Sequence, residues 1–309
     1  LYDDNGLVVV FGFTVAVFGL VVVALIRWID HLMSFGRMGD TLDRVEKATT
    51  AALDRRLDDP YLGGHRLDRL PKSGLVPVIS KETGHIQHID MPAIQDCAAA
   101  MGAQAYLNVL PGRFVVEGAP LLWLAAATPS AEQSQQFCEA VTFGTRRSFE
   151  EDPRFGLIVL SEIASRALSP AVNDPGTAID ILGRLVRILS LWRDRASPDL
   201  RFDAVFVRPV TPQEAIEDAF RPIARDGAGL VEVQIRLQKS LKSLSDMAPA
   251  AFAAPAARAS DEALARAESA GIMAFDLEDI RAVADLSGEE ARAGARPDPE
   301  PETPRHKQI

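Results

Sequence analysis

A run of twenty residues without a formal charge, Leu7–Ile26, constrains this chain more than any other feature. As a helix the run rises about 30 Å, which matches the hydrocarbon core of a bilayer. Tyr2 and Trp28 lie at its two ends, where aromatic residues favour the membrane interface. The run is too long for a signal peptide, and no small-residue cleavage site follows it. We therefore predict a transmembrane segment.

The charges that flank the run predict its orientation. Acidic residues, Asp3 and Asp4, come before it. Basic residues follow it, namely Arg27, Arg37, Arg44 and Lys47. Basic residues favour the cytoplasmic side of a membrane. We therefore expect the rest of the chain to lie in the cytoplasm.

Composition limits the function classes. The chain has 309 residues and a net charge of −10, which argues against nucleic acid as a partner. Its two cysteines, Cys97 and Cys138, form neither a CxxC pair nor a metal-binding spacing. We therefore predict no metal and no cofactor.

A helix is predicted over residues 39–57, where apolar or small residues recur every three or four positions. They are Leu42, Val45, Thr49 and Ala52. The pattern fits a helix that packs on its own domain, and it also fits a stalk that self-associates below the membrane. Since it extends over fewer than three heptads, we favour the first interpretation.

Short apolar strands separated by glycine turns predict a small β module over residues 71–128. The strands are predicted at 76–79, 86–89, 106–110, 114–116 and 121–124, with a helix at 91–101. This order is similar to the barrel-sandwich modules of biotinyl and lipoyl carriers. Such carriers need a lysine, but none lies between Lys81 and Lys239. We therefore interpret the module as a scaffold.

The apolar pattern of residues 129–247 predicts a helical domain with one strand, at 202–207. Helices are expected at 131–144, 155–168, 175–192 and 230–247. A capping box, Thr211–Glu214, marks the start of a further helix that ends at Gly227.

The candidate site is the polar turn 166–177. One interpretation is a ligand pocket or an intersubunit contact formed by Arg166, Asn173, Asp174 and Thr177. The alternative is a helix–helix corner, because Asp174 before Pro175 fits a helix cap followed by proline. Capping explains these residues except Asn173, and we favour it.

Other groups of possible metal-binding or catalytic residues give weaker evidence for a site. His85 and His88 are three positions apart, which places them on opposite faces of a strand, so shared zinc ligation is not expected. The chain contains no GxSxG, GxGxxG, HExxH or CxxC motif.

Two segments together resemble a known family. One is Gly84–Asp90 followed by Leu110–Leu121, and the other is Phe155–Gly156 followed by Glu162–Ala178. Behind a transmembrane segment, this combination resembles the uncharacterised bacterial membrane proteins of the domain of unknown function 2254 family. The resemblance implies a bacterial inner (plasma) membrane location and no established activity. Family members usually carry several spans, so we expect the sequence to be truncated at its start.

The fold class that we predict is a membrane-anchored α+β protein. The expected segments are a transmembrane segment at 1–29 (the last of several), a juxtamembrane helix and linker at 30–70, the barrel-sandwich-like β module at 71–128, a mainly helical cytoplasmic domain at 129–247, a linker at 248–259, a C-terminal helix at 260–288 and a disordered tail at 289–309.

Two functions are compatible with these features. The first is a non-enzymatic, homo-oligomeric scaffold or pore- or transport-related protein, with the lipid bilayer and further copies of the chain as partners. The second is a membrane-tethered ligand sensor or enzyme that uses the turn 166–177. We favour the first, because the sequence contains no recognisable set of catalytic residues.

Overall fold

The N-terminal apolar run forms one helix, as the sequence predicts. In a computed structural model of the chain, which describes residues 4–34, 38–193, 195 and 197–294, this helix (α1) extends over Asp4–Ser34. Its part Val10–Trp28 is long and apolar enough to cross a membrane, and none of it is buried. A bilayer would cover this apolar surface, which is unusual for a water-soluble protein.

The chain divides into two compact units, Leu1–Val45 and Glu46–Ile309. Helix α2 (Met38–Asp58) begins in the first unit and ends in the second. The second unit is a mixed α/β structure. Its strands are β1 (His65–Arg66), β2 (Leu75–Ile79), β3 (Gly84–Ile89), β4 (Gln104–Leu107), β5 (Phe114–Val115), β6 (Pro120–Ala125), β7 (Val141–Gly144) and β8 (Val205–Val207). Its further helices are α3 (Met91–Ala100), α4 (Ala131–Glu139), α5 (Pro153–Ala167), α6 (Pro175–Leu189), α7 (Pro212–Asp226), α8 (Val231–Met247), α9 (Pro249–Ser269) and α10 (Ala274–Gly294).

The strands form two sheets. One has the order β1-β8-β4-β6-β2, and the other has the order β5-β3-β7. Strand β8 pairs in parallel with β1 and β4, whereas the remaining pairs are antiparallel. Both sheets contribute side chains to one apolar core, for example Leu124 and Val205 from the first and Ile86 from the second. The sheets thus extend beyond the predicted limits 71–128, because β1, β7 and β8 complete them.

An aromatic ladder crosses one face of the larger sheet. Phe206 of β8 stands opposite His65 of β1 and Tyr106 of β4. Its ring stacks on theirs, with centroids 4.8 and 4.9 Å apart. Since these distances equal the spacing of neighbouring strands, the rings stand side by side and support the strand register.

The second half of α2 packs on the second unit, as the favoured interpretation of its pattern predicts. Thr49 and Ala52 of the predicted stripe are buried there, together with Leu53. Glu46 accepts hydrogen bonds of 2.7 Å from Arg184 and from Arg187 on α6. The stalk interpretation is not needed to explain this part of the stripe.

One predicted helix of the region 129–247 differs from the structure. The helix expected at 131–144 ends at Glu139, and Val141–Gly144 is instead strand β7, paired with β3. The region 129–247 therefore contains two strands, not one. Val141, Thr142 and Phe143 are residue types that favour strands, and their pairing with β3 gives this segment its strand structure.

The C-terminal region is also more helical than predicted. The expected linker 248–259 lies almost wholly in α9, because Ala-rich sequence favours a helix and because Phe252 is fully buried. Gly271, at φ +79°, separates α9 from α10, so the predicted helix 260–288 is two helices. Of the predicted disordered tail, residues 289–294 belong to α10, and residues 295–309 lie outside the described part of the chain.

Candidate functional site

A cleft of about 650 Å³ lies at the C-terminal end of α2, and we call it the α2 cleft. Its walls come from the end of α2 and the turn after it, from residues 88–92 at the connection between β3 and α3, from residues 150–151 before α5, and from residues 201–202 before β8. The volume is within the range of small-molecule sites in proteins, about 300–1,000 Å³. Arg55, Arg56, His88, Glu150 and Glu151 all line it.

His88 and Glu151 form a pair in the α2 cleft. Nδ1 of His88 lies 2.6 Å from Oε1 of Glu151. An irregularity in β3 between Ile86 and His88 shifts the pairing with β7 at this point. A carboxylate on one ring nitrogen orients the imidazole, and the other nitrogen, Nε2, is then left for a bound molecule.

Two consecutive arginines join α2 to the opposite wall. Arg55 donates to the carbonyl oxygen of Glu150 over 2.7 Å, and Arg56 donates to that of Glu151 over 3.0 Å. Arg55 is exposed, whereas Arg56 is only 6% exposed. Burial lowers the pKa of Arg56, although the carboxylates of Glu151 and Asp59 oppose this effect. An arginine pKa is so high that the guanidinium stays charged.

Two further acids that line the α2 cleft, Asp59 and Asp90, accept hydrogen bonds from neighbouring groups. Asp59 accepts a hydrogen bond of 2.5 Å from the backbone N–H of Gly63 and another from Arg201. Asp90 caps α3, as the sequence predicts, by accepting from the N–H of Ala93 over 3.0 Å. These two carboxylates therefore serve the local structure.

The α2 cleft contains neither a hydroxyl nor a thiol side chain among the described residues that line it. In the described part of the chain, no three His, Cys, Asp or Glu side chains are grouped to hold a metal ion.

The other candidate residues from the sequence do not line the α2 cleft. His85 has different partners from His88, since its Nδ1 lies 3.2 Å from the carbonyl oxygen of Gly112. Cys97 and Cys138 are free, half-buried thiols.

None of the residues of the sequence-predicted site, the turn 166–177, lines the α2 cleft. Asp174 caps α6: its Oδ1 accepts from the N–H of Thr177 over 3.1 Å, and its Oδ2 accepts from the Thr177 hydroxyl over 2.5 Å. The hydrogen bonds from Thr177 lower the pKa of Asp174. Capping thus accounts for both residues.

The backbone of the same turn accounts for Asn173. This residue has φ +50°, a left-handed conformation that asparagine tolerates better than most residues. Its N–H donates to the carbonyl oxygen of Ser169 over 2.8 Å. Arg166 contributes its carbonyl oxygen to the turn, and its side chain is exposed. A ligand role for Arg166, Asn173, Asp174 and Thr177 therefore stays a prediction.

Sequence reasoning missed an ion-pair network between α5 and α7. Arg154 donates to Asp218 over 2.6 Å and to Glu214 over 2.7 Å, and Arg208 donates to Glu214 over 2.8 Å. Burial raises the pKa of Asp218 despite its contact with Arg154. Burial acts in the same direction on Glu214, but Arg154 and Arg208 outweigh it and lower the pKa of Glu214. The sequence signal for this network is the spacing of four positions between Glu214 and Asp218, which places the two carboxylates on the same face of α7.

Comparison with known proteins identifies the family. A family model described as "Predicted membrane protein (DUF2254)" matches residues 2–243. The chain belongs to the DUF2254 family. It is 31% identical over 185 residues to the uncharacterized protein Mb1321c of Mycobacterium bovis and to the uncharacterized protein Rv1290c of Mycobacterium tuberculosis. Each match covers 58% of this chain and 36% of the relative, and no solved structure matches the chain.

The DUF2254 match includes the parts of the chain on which a function depends. It contains the apolar helix α1, the α2 cleft and the turn 166–177, and it ends within α8. The resemblance stated from Gly84–Asp90 and Glu162–Ala178 is thereby confirmed. Helices α9 and α10 lie beyond the match.

Proposed function

We propose that this DUF2254 chain is a membrane-anchored protein that binds a small molecule in the α2 cleft. The observation that carries the proposal is the convergence of the His88–Glu151 pair and two arginines in one cleft of about 650 Å³. A few oriented polar groups in a concave site of this size are typical of small-molecule binding. The ligand-sensor alternative from the sequence is kept, but its site moves from the turn 166–177 to the α2 cleft.

Binding is favoured over covalent catalysis. The described lining of the α2 cleft has no serine, threonine or cysteine that His88 could activate as a nucleophile. The contacts of Arg55 and Arg56 with backbone carbonyl oxygens fix α2 against the segment that carries Glu151. A ligand that changes these contacts would therefore change how α2 is held, which is the property that a sensor needs.

We further propose that the protein resides in the bacterial inner membrane with Glu46–Ile309 in the cytoplasm. The apolar stretch Val10–Trp28 and the family description support a membrane location. The basic residues that follow the stretch, among them Arg27 and Lys47, support the cytoplasmic side.

A homo-oligomeric scaffold, or a pore- or transport-related assembly, is the second candidate. It is favoured by Gly12 and Gly19 on α1, where an added Cβ would meet no atom within 4 Å. Glycines seven positions apart share a helix face and allow another helix to approach closely. The two sheets with one core are compatible with a barrel-sandwich-like scaffold, which we retain as part of this proposal.

The ligand proposal is tested with the full chain in lipid nanodiscs. A metabolite library is screened for compounds that raise the unfolding temperature, and each hit is repeated on Glu150→Trp, which adds bulk at the rim of the α2 cleft. Glu132→Trp, at an exposed position on α4, is the matched control. Hits that are lost only in Glu150→Trp support the proposal. Hits that persist in both variants, or a screen without hits, contradict it.

The scaffold proposal is tested by native mass spectrometry in detergent. We expect Gly12→Leu and Gly19→Leu to reduce the oligomeric fraction, and we expect Val17→Leu, at a position turned about 140° from Gly12, to leave it unchanged. A strict monomer at micromolar concentration contradicts this candidate.

A further inference from the structure

We propose that the ligand of the α2 cleft carries an oxyanion group, a phosphate or a carboxylate, which binds at Arg56. This inference rests on the proposed binding function and adds the chemical class of the ligand. It depends on one unpaired hydrogen-bond donor of Arg56 and on which partners the neighbouring arginines and acids already have.

The unpaired donor is Nη1 of Arg56. The side chain is 6% exposed and lines the α2 cleft. Its Nη2 donates to the carbonyl oxygen of Glu151, but its Nη1 is buried and has no hydrogen-bond partner among the described residues. Buried donors on charged groups are seldom left without an acceptor, because the loss of hydration is costly. The Nη1 atom is itself covered in this structure, so a ligand oxygen would supply that acceptor once a small movement of the side chain opens the atom to the cleft.

Two of the three arginines that line the α2 cleft, Arg55 and Arg56, form no ion pair with a carboxylate among the described residues, although the charges of Glu151 and Asp59 act on Arg56. Arg55 and Arg56 hydrogen-bond to backbone carbonyl oxygens, which carry no formal charge. An arginine of this kind retains N–H donors in a planar arrangement that matches phosphate and carboxylate oxygens. Two such side chains in sequence therefore favour an anionic group over a neutral one.

The acids around the cleft are engaged elsewhere. Asp59 is bound by Arg201 and by the N–H of Gly63, Asp90 caps α3, and Glu151 faces His88. Glu150 lies exposed at the rim. Except at Glu150, a cationic ligand would have to compete for carboxylates that already have partners, whereas an anion meets a donor of Arg56 that has none.

The volume of the α2 cleft also indicates the size of the ligand. A volume of about 650 Å³ is far larger than an inorganic phosphate or an acetate ion. The oxyanion is therefore part of a larger molecule, either a soluble metabolite or the headgroup of an anionic lipid. Both sources present the same chemistry to Arg56, so the experiment has to separate them.

The first test uses the full chain in phosphatidylcholine nanodiscs. Sodium phosphate and sodium acetate are compared with sodium chloride at equal ionic strength, and the unfolding temperature is measured. We expect a rise of a few degrees with phosphate or acetate that is lost in Arg56→Gln and reduced in Arg55→Gln. Arg225→Gln, which removes a pair with Asp226 on α7, is the control and should respond as the wild type does. Equal responses to all three salts contradict the proposal.

A second measurement avoids variants that fail to fold. Phenylglyoxal modifies arginine side chains, and peptide mass spectrometry gives the rate at each site in the wild-type chain. Phosphate should slow the modification of Arg55 several-fold and leave Arg225 unchanged. Equal protection of both sites, or protection of neither, contradicts the proposal.

Two further comparisons separate the sources of the oxyanion and the two proposals. If nanodiscs that contain phosphatidic acid raise the unfolding temperature and soluble phosphate then adds nothing, the oxyanion is a lipid headgroup; if soluble phosphate still adds its full effect, it is a metabolite. If the library yields cleft-dependent ligands that are neutral or cationic and still bind Arg56→Gln, the oxyanion assignment fails while the binding function stands. If no compound depends on the cleft, both fail.

Discussion

Thr49 of α2 occupies the space that a Cβ on Gly156 of α5 would need. Both residues are buried. This close approach lets α2 lie directly against the start of α5. The next two turns of α2 then carry Arg55 and Arg56 to the carbonyl oxygens of residues 150 and 151. One glycine therefore positions a wall of the α2 cleft.

We predict that Gly156→Ala destabilises the protein by about 1–3 kcal/mol, the usual cost of overpacking a core. The added methyl group overlaps the Thr49 side chain, so α2 has to move. Gly183→Ala on α6 is the matched control, because its Cβ would lie 3.4 Å from the mobile end of Arg236. The control should be neutral or gain up to about 1 kcal/mol from helix propensity. Chemical denaturation in detergent measures both, and equal effects would contradict the contact.

A buried polar pair between α8 and α9 leads to a second prediction. The hydroxyl of Ser260 donates to Oε1 of Gln238 over 2.6 Å, and both side chains are buried. Ser260→Ala should cost about 1–3 kcal/mol, because it leaves a buried amide oxygen without a donor. Ser269→Ala, on the exposed side of the same helix, should change the free energy of unfolding by less than about 0.5 kcal/mol. If Ser260→Ala is as mild as its control, the pair is not formed.

The turn 166–177 allows the capping explanation to be tested directly. Asp174→Ala should lower the thermal unfolding temperature, because the N–H of Thr177 loses its acceptor. Asp174→Asn should retain most of the stability, since asparagine caps helices about as well as aspartate. Arg166→Ala should have little effect, because that side chain is exposed. Circular dichroism during heating measures all three.

The alternative for this turn makes the opposite prediction. If Arg166→Ala and Asp174→Asn both abolish the response to a ligand without loss of stability, the turn is a binding site. Capping alone cannot produce that result, because asparagine preserves the cap.

The network of Arg154 predicts a pH dependence with two opposite signs. The pKa of Asp218 is raised in the folded state, so its contribution to the free energy of unfolding is complete below its ordinary pKa and is lost as the pH rises through the raised value. The pKa of Glu214 is lowered, so its contribution is present above its ordinary pKa and is lost as the pH falls through the lowered value.

Denaturation of the wild type, Asp218→Asn and Glu214→Gln over the acidic pH range tests this dependence. The stability of the wild type relative to Asp218→Asn should decrease as the pH rises above about 4, and its stability relative to Glu214→Gln should decrease as the pH falls below about 4. Differences of the same sign for the two variants would show that the two acids do not have distinct environments.

Much of the fold could be predicted from the sequence because the signals are local. The caps at Asp90 and Asp174 and the capping box Thr211–Glu214 each involve residues within three positions of one another. Elements that depend on a distant partner were missed. Strand β7 exists through its pairing with β3, and α9 includes Pro255 because an apolar face with Phe252 is buried.

The sequence by itself determined the apolar helix, the helix caps and the family, since each depends on neighbouring residues or on a contiguous motif. Only the tertiary structure decided the α2 cleft. His88 and Glu151 are 63 positions apart, and Arg56 reaches the backbone of Glu151 across 95 positions. No local pattern encodes such distances, because they arise when α2 packs over Gly156 and brings three separate segments together.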